Sequence, residues 1–173
     1  GFAFIKATEG TSIVDGQFRR NWISAEEQGI SKGAYHFFIP SRSAKKQADN
    51  FISIVNLKPG DMPPVLDVEK NRGISITEMQ RAVKAWLDAV EDHYGVKPVI
   101  YTNVDFYQKY FQTGFEEYPL WIAHYLQPVR PGIENQWTFW QHSETGRVDG
   151  IKTAVDFNVF YGDSTLFYNF LVP

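Results

Sequence analysis

Seven runs rich in β-branched and aromatic residues, each bounded by turn residues, predict strands at about 2–8, 33–39, 63–69, 97–103, 119–125, 137–143 and 153–160. The first four begin about 30 residues apart, the length of a βα unit. Between them the apolar period lengthens to three and four. Phe18, Trp22 and Ala25 share one helical face, which Gly29 ends. Ala44, Ala48, Phe51, Ile52 and Val55 share a second, which stops before Lys58-Pro59-Gly60. The longest helix is predicted over 76–94, where Ile76, Met79, Val83, Trp86 and Val90 alternate by three and four. Ser75 and Glu78 have capping-box spacing at its start, and Gly95 stops it. A short helix follows near 104–111. Beyond residue 125 the pattern changes. The connection 126–136 carries Pro128, Pro131 and Gly132, which disfavour a long helix, and 144–152 is polar with Gly146 and Gly150. The chain reads as βα units first and mostly β later, an α/β domain without repeat or linker.

Composition narrows the possibilities. A chain of 173 residues buries a sizeable core as one domain, and 43% apolar with 21% charged residues is globular rather than disordered. The net charge of −3 supplies no basic field for nucleic acid or an anionic membrane. No apolar run approaches the ~18 residues of a membrane span. The absence of cysteine excludes a disulfide framework, a Cys nucleophile and a thiolate metal site. No signal peptide opens the chain; Gly1-Phe2-Ala3-Phe4-Ile5 reads directly as a strand. Aromatic residues reach 16%, with 5 Trp, 9 Tyr and 14 Phe. Such rings suit the apolar faces of sugars, and equally a ring-rich core.

The chemistry concentrates in Pro63-Pro64-Val65-Leu66-Asp67-Val68-Glu69. Residues two apart on a strand share a face and lie about 6–7 Å apart. Val65, Asp67 and Glu69 should therefore point one way, and Leu66 and Val68 the other. If the apolar face meets the helices, two carboxylates enter the mouth of a barrel at the strand's C-terminal end, where barrel active sites lie. Two confined carboxylates do not both ionise cheaply, so one is pushed up and stays protonated. Glu69, with the longer reach, is the better general-acid candidate. The competing reading is a pair of solvated acids at a strand end. Asp156, between Val155 and Phe157, and Glu9, just past the first strand, are further candidates. The histidines at 36, 93, 124 and 142 lack zinc-helix spacing, and no metal or cofactor is implied. Tyr35, Tyr101, Trp121, Tyr125 and Trp140 cluster near strand ends, with Asn103 and Gln141 close by, as a saccharide site would require.

Seven motifs appear in order: Phe-Ala-Phe-Ile-Lys-Ala-Thr-Glu-Gly at 2–10, Gly-Ala-Tyr-His-Phe-Phe at 33–38, Pro-Val-Leu-Asp-Val-Glu at 64–69, Tyr-Thr-Asn at 101–103, Leu-Trp-Ile-Ala-His-Tyr at 120–125, Trp-Gln-His-Ser at 140–143 and Val-Asp-Phe-Asn at 155–158. Together they resemble glycoside hydrolase family 25, the Chalaropsis-type lysozymes, across essentially the whole chain. The resemblance implies a modified TIM-like (β/α)5(β)3 barrel. It also implies N-acetylmuramidase activity on the β-1,4 bond between N-acetylmuramic acid and N-acetylglucosamine in peptidoglycan. By motif, Glu69 matches the general acid, Asp67 its neighbouring carboxylate and Asp156 the late acid. Glu9, Tyr35, Tyr101, Trp121, Tyr125 and Gln141 are then expected against the glycan. The expected setting is a monomeric enzyme that is secreted or in the cell envelope, or a phage-encoded endolysin, with peptidoglycan as partner and neither nucleic acid nor membrane insertion. The family's leading strand, an Asp-bearing Gly-Ile-Asp-Val-Ser-like segment, has no counterpart here. The expectation is that residues 1–173 form the catalytic domain with about 25–30 residues, one βα unit's worth, missing ahead of them, or with another element in that place.

Two chemistries fit. The substrate's own N-acetyl group attacks C1 while Asp67 orients it, or Asp156 activates water with inversion. Two rival functions remain at this level: a wall-binding module that holds glycan without cutting it, and a chitinase-like hydrolase. The latter family's longer D-x-x-D-x-D-x-E strand is not present.

Overall fold

The computed structural model of the protein describes residues 1–134 and 136–173. One sheet organises it. Strands β1 (Phe2–Glu9), β2 (Ile13–Val14), β3 (Ser31–Phe37), β4 (Val65–Asp67), β5 (Val99–Asn103), β6 (Leu120–Ala123), β7 (Phe139–Gly146) and β8 (Val155–Phe160) lie in the order β2-β1-β3-β4-β5-β6-β7-β8. β1 and β3 to β7 run parallel, while β2 and β8 pair antiparallel to β1 and β7. The sheet curls until its ends meet through side chains. Phe2 and Phe4 of β1 lie 5.3 and 5.1 Å from the ring of Phe139 on β7. Among the described residues no backbone ladder joins β1 to β8.

Strand periodicity sorts the side chains into two layers. The concave face carries Val65, Val99, Tyr101, Trp121, Ala123 and Phe139, with Phe4 and Tyr35 against them. The convex face carries Leu66, Val68, Ile100, Ile122 and Trp140, packed on Met79, Val83, Trp86, Leu87 and Val90. Each fully buried side chain of this kind contributes about 1.5–3 kcal/mol. The convex cover comes from α1 (Phe18–Glu27), α2 (Ala44–Ile54) and α3 (Ile76–Tyr94), all predicted from the apolar spacing. α3 begins in a reciprocal capping box of Ser75 and Glu78 and ends at Gly95, whose φ of 71° is the left-handed turn that glycine permits. His36 also belongs to this layer. It lies 2.7 Å from Thr8 Oγ1 and 3.2 Å from Gln47 Oε1, and burial lowers its pKa to about 4, so it stays neutral in the core.

The structure corrects several boundaries. β4 is shorter than the predicted 63–69, although its backbone pairing continues as Val68 N–H donates to Tyr101 O at 2.9 Å. β2 is an added hairpin strand. β7 runs to Gly146, where it still pairs with Val155 of the antiparallel β8. The short helix splits into α4 (Val104–Phe106) and a π-helical turn over Tyr107–Phe111. An unpredicted α5 (Ser164–Phe170) starts where Asp163 accepts from the Leu166 N–H at 2.9 Å. Trp140, expected among the site rings, faces the helices and donates its indole N–H to His124 O at 2.8 Å.

At the N-terminal end of the strands a charge pair is buried. Lys32 Nζ lies 2.5 Å from Asp61 Oδ1, and Asp61 Oδ2 accepts the Lys58 N–H at 2.8 Å. The Trp22 ring lies 4.7 Å from the same ammonium. Backbone bonds from Val172 to Gly60 and Asp61 tie the last residues to this point. Breaking a buried pair costs about 3–5 kcal/mol where the remaining charge has no other partner. Glu26 Oε2 also lies 3.4 Å from the Lys32 ammonium, so Asp61→Asn should lower the urea-derived unfolding free energy by up to about that much, and Lys32→Met with Asp61→Leu should recover most of it. A loss below about 1 kcal/mol in the single variant would show that the pair does not hold this end.

Candidate active site

The site lies at the opposite end of the sheet, where β4 stops. The strand period turns Asp67 to the concave face beside Phe37 and Tyr101, its partners in register. Its side chain is 6% exposed, and Oδ1 has no hydrogen-bond partner. Glu69, two residues on, is half-buried. Burial pushes the Asp67 carboxyl well above its ordinary range. The charge of Glu69 and a side-chain hydrogen bond to it push the same way, and Lys6 and Lys70 only partly oppose them. Burial and the like charge beside it both favour the protonated form of Asp67, the inner acid.

Other acids converge from distant segments. The Tyr35 phenol is pushed up first by burial and then by Asp67, Asp15, Asp156 and Glu69. Asp156 stands at the exposed rim on β8, and its carboxyl is raised by partial burial and then by Glu144. Glu9 is engaged by Lys6 at 2.7 Å. Tyr101 and Tyr125 both donate their hydroxyls to Gln141 Oε1, at 2.8 and 2.7 Å. Burial holds both phenols up, with the charge of Glu69 contributing to each.

The rings divide by exposure. Tyr35 and Tyr125 are half-buried, whereas Tyr101, Trp121 and Gln141 are buried. Trp121 is stacked on Phe4 at 4.1 Å and touched by Tyr101 at 4.5 Å, and its indole N–H donates to Asn158 Oδ1 at 2.8 Å. It forms the wall behind the acids. Asn103, placed near the site by sequence, caps α4 by accepting the Phe106 N–H at 2.9 Å. Asp15, Asn158 and Lys6 were not singled out. Asn158 was within reach of the argument, since it shares a strand face with Asp156; Asp15 carries no pattern that marks it. No group of three or more potential metal ligands occurs among the described residues. Two hollows of about 280 and 450 Å³ beside the π-helical turn, lined by residues such as Phe111, Phe115 and Gln112, do not include Asp67, Glu69 or Asp156 in their walls.

The curled, mostly parallel sheet places two neighbouring acids at the C-terminal end of a central strand, where barrel active sites lie. The chain belongs to glycosyl hydrolases family 25, matching over residues 1–151. It is 50% identical over 161 residues to the uncharacterized protein YegX of Escherichia coli K12, covering 93% of this chain and 59% of that protein. Lysozyme M1 of Streptomyces globisporus is 37% identical over 184 residues, covering 94% and 60%. The chain thus spans about three fifths of the length of these curated relatives. The solved family 25 glycosyl hydrolase from Bacillus anthracis superposes with a TM-score of 0.91 at 33% identity, covering 98% of this chain and 82% of that one. No described helix is long and apolar enough to cross a membrane.

The buried acid should be visible in folding. A carboxyl raised in the folded state binds its proton more tightly folded than unfolded. Its stabilisation is therefore complete below the ordinary Asp range of about 4 and is lost as pH rises through the folded value. Asn mimics the protonated form. Asp67→Asn should be more stable than the parent at pH 7, with the difference shrinking towards pH 4 in urea titrations. A difference that does not vary with pH would show that Asp67 is not the group that keeps the proton.

Proposed function

We propose that this domain hydrolyses the β-1,4 bond between N-acetylmuramic acid and N-acetylglucosamine in bacterial peptidoglycan. The observation that carries the proposal is the buried Asp67 with Glu69 two residues on, at the C-terminal end of β4, in a chain of this family. The lysozyme among its relatives supports the same substrate. Glu69 is the general acid that protonates the glycosidic oxygen as the bond to C1 breaks. Asp67 and Glu69 arise from one strand and approach the sugar from one side. That supports attack on C1 by the substrate's own acetamido oxygen, with the amide N–H received by the unpartnered Oδ1 of Asp67. As that N–H arrives, the proton kept on Asp67 passes to Glu69, the acid that delivers it. Water then opens the cyclic intermediate with net retention.

Asp156 supports the second reading, in which it activates water and the configuration inverts, because its charge acts with those of Asp67 and Glu69 on one phenol. A defined glycan followed by NMR separates the two: initial β-product is expected, and initial α-product would eliminate the acetamido route.

The same reading extends to the rest of the molecule. The curled sheet fits the (β/α)5(β)3 barrel that the family resemblance implies. The domain acts as a monomer on wall glycan, outside the cell or as a lysis enzyme. Glu69→Gln should fold normally and lose at least ~10²-fold in the rate of wall clearing. Full activity in that variant would remove Glu69 from the role, and binding to walls without clearing by the parent chain would favour a glycan-holding module.

A further inference from the structure

Gln141 sits on β7, only 2% exposed, and among the described residues its side-chain hydrogen bonds go to neither a charged group nor a core helix. Its carbonyl oxygen instead receives two phenols, Tyr101 OH at 2.8 Å and Tyr125 OH at 2.7 Å. The three residues come from β5, from just past β6 and from β7. They meet over Ala123, whose methyl group is the inward side chain in register between Asn103 and Gln141 and leaves room for them. A phenol has one proton and a free acceptor. With both protons directed to Gln141, each oxygen keeps lone pairs free to accept. Tyr101 is the register neighbour of Asp67, and Tyr125 feels the charges of Asp156 and Glu69.

We propose that Gln141 is a positioning residue of the glycan site. It fixes the hydroxyls of Tyr101 and Tyr125 as hydrogen-bond acceptors, so that the site selects a sugar presenting donors, hydroxyl or amide N–H, beside Asp67. This rests on the glycan reading above and names the chemistry the groove takes. A hydroxyl free to rotate would accept or donate with equal ease. One locked by an amide discriminates, because a donorless group would leave a buried phenol oxygen unpaired.

The test uses the full chain and a tetrasaccharide of alternating N-acetylglucosamine and N-acetylmuramic acid. Kd is read by calorimetry, and kcat and KM by product release. Gln141→Met fills the same volume without accepting, and should raise Kd and KM about tenfold while kcat moves less than about threefold. Gln141→Glu, which still accepts from both phenols, should restore KM to within about threefold and shift the pH profile of kcat, since it adds an acid beside the pair. In a chain carrying Tyr101→Phe and Tyr125→Phe, adding Gln141→Met should change Kd less than about twofold, because the residue acts only through those hydroxyls. Unchanged Kd and KM in Gln141→Met, or losses that multiply in the triple variant, would overturn the proposal. Should Gln141→Met fail to fold cooperatively, Gln141→Glu and the two phenylalanine variants decide: parent KM in the phenylalanine variants overturns it, and raised KM there with near-parent KM in Gln141→Glu supports it. A parent chain that binds the tetrasaccharide without cutting it removes the hydrolase reading and leaves the Kd comparisons as the test. A parent that does not bind overturns both.

Discussion

A carboxyl group 6% exposed beside a second acid is costly to ionise, and the placement of Asp67 imposes that cost on the fold. The strand period leaves β4 no alternative. With Leu66 and Val68 anchored against α3 in the convex layer, Asp67 must face inward, between Phe37 and Tyr101. The ring-rich concave layer removes the water that would otherwise solvate the charge. Burial thus turns an ordinary strand-end acid into a proton store, and Glu69, just outside the ladder, stands where it shares that store with the groove.

The aromatic excess has two duties, separated by depth rather than by residue type. Phe4, Trp121 and Phe139 close the concave core and bring β1 against β6 and β7 without backbone pairing. Tyr35, Tyr101 and Tyr125 stand nearer the acids, and each is held neutral chiefly by its burial. Neutral phenols matter in a groove that already concentrates negative charge, because a phenolate would raise the ionisation cost of the acids further. Their hydroxyls polarise the site without adding to its charge.

Much of this was legible in the chain. Seven strand runs, three helical faces and the capping box at Ser75 all correspond to elements that formed, since each rests on local period and composition. The direction of Asp67 also followed, because alternation needs only the knowledge that Leu66 and Val68 are covered. What sequence could not supply was depth. Trp121 and Tyr125 are equally good candidates for a sugar platform by residue type. Tertiary packing buries the first behind Phe4 and Tyr101 and leaves the second half-exposed. In the same way, the inference that one of two neighbouring acids must be protonated needed only their spacing, whereas assigning the raised group to Asp67 required the burial that assembled strands create. Gln141 was read as a contact for glycan. The two phenols that converge on it lie 16 and 40 residues away in the chain, a juxtaposition no local pattern encodes.

The two ends of the sheet divide stability from function in a way that follows from electrostatics. At the N-terminal end Lys32 and Asp61 bring opposite charges together under cover, so their desolvation is offset by attraction and by the Lys58 N–H. At the C-terminal end Asp67 and Glu69 bring like charges together, and Lys6 and Lys70 only partly compensate. A fold selected for stability alone would place an amide or apolar group at residue 67, as with other sites where activity depends on a destabilised group. Under the proposed chemistry the acetamido N–H of the substrate meets the unpartnered Oδ1, so part of the burial cost at Asp67 is recovered on binding.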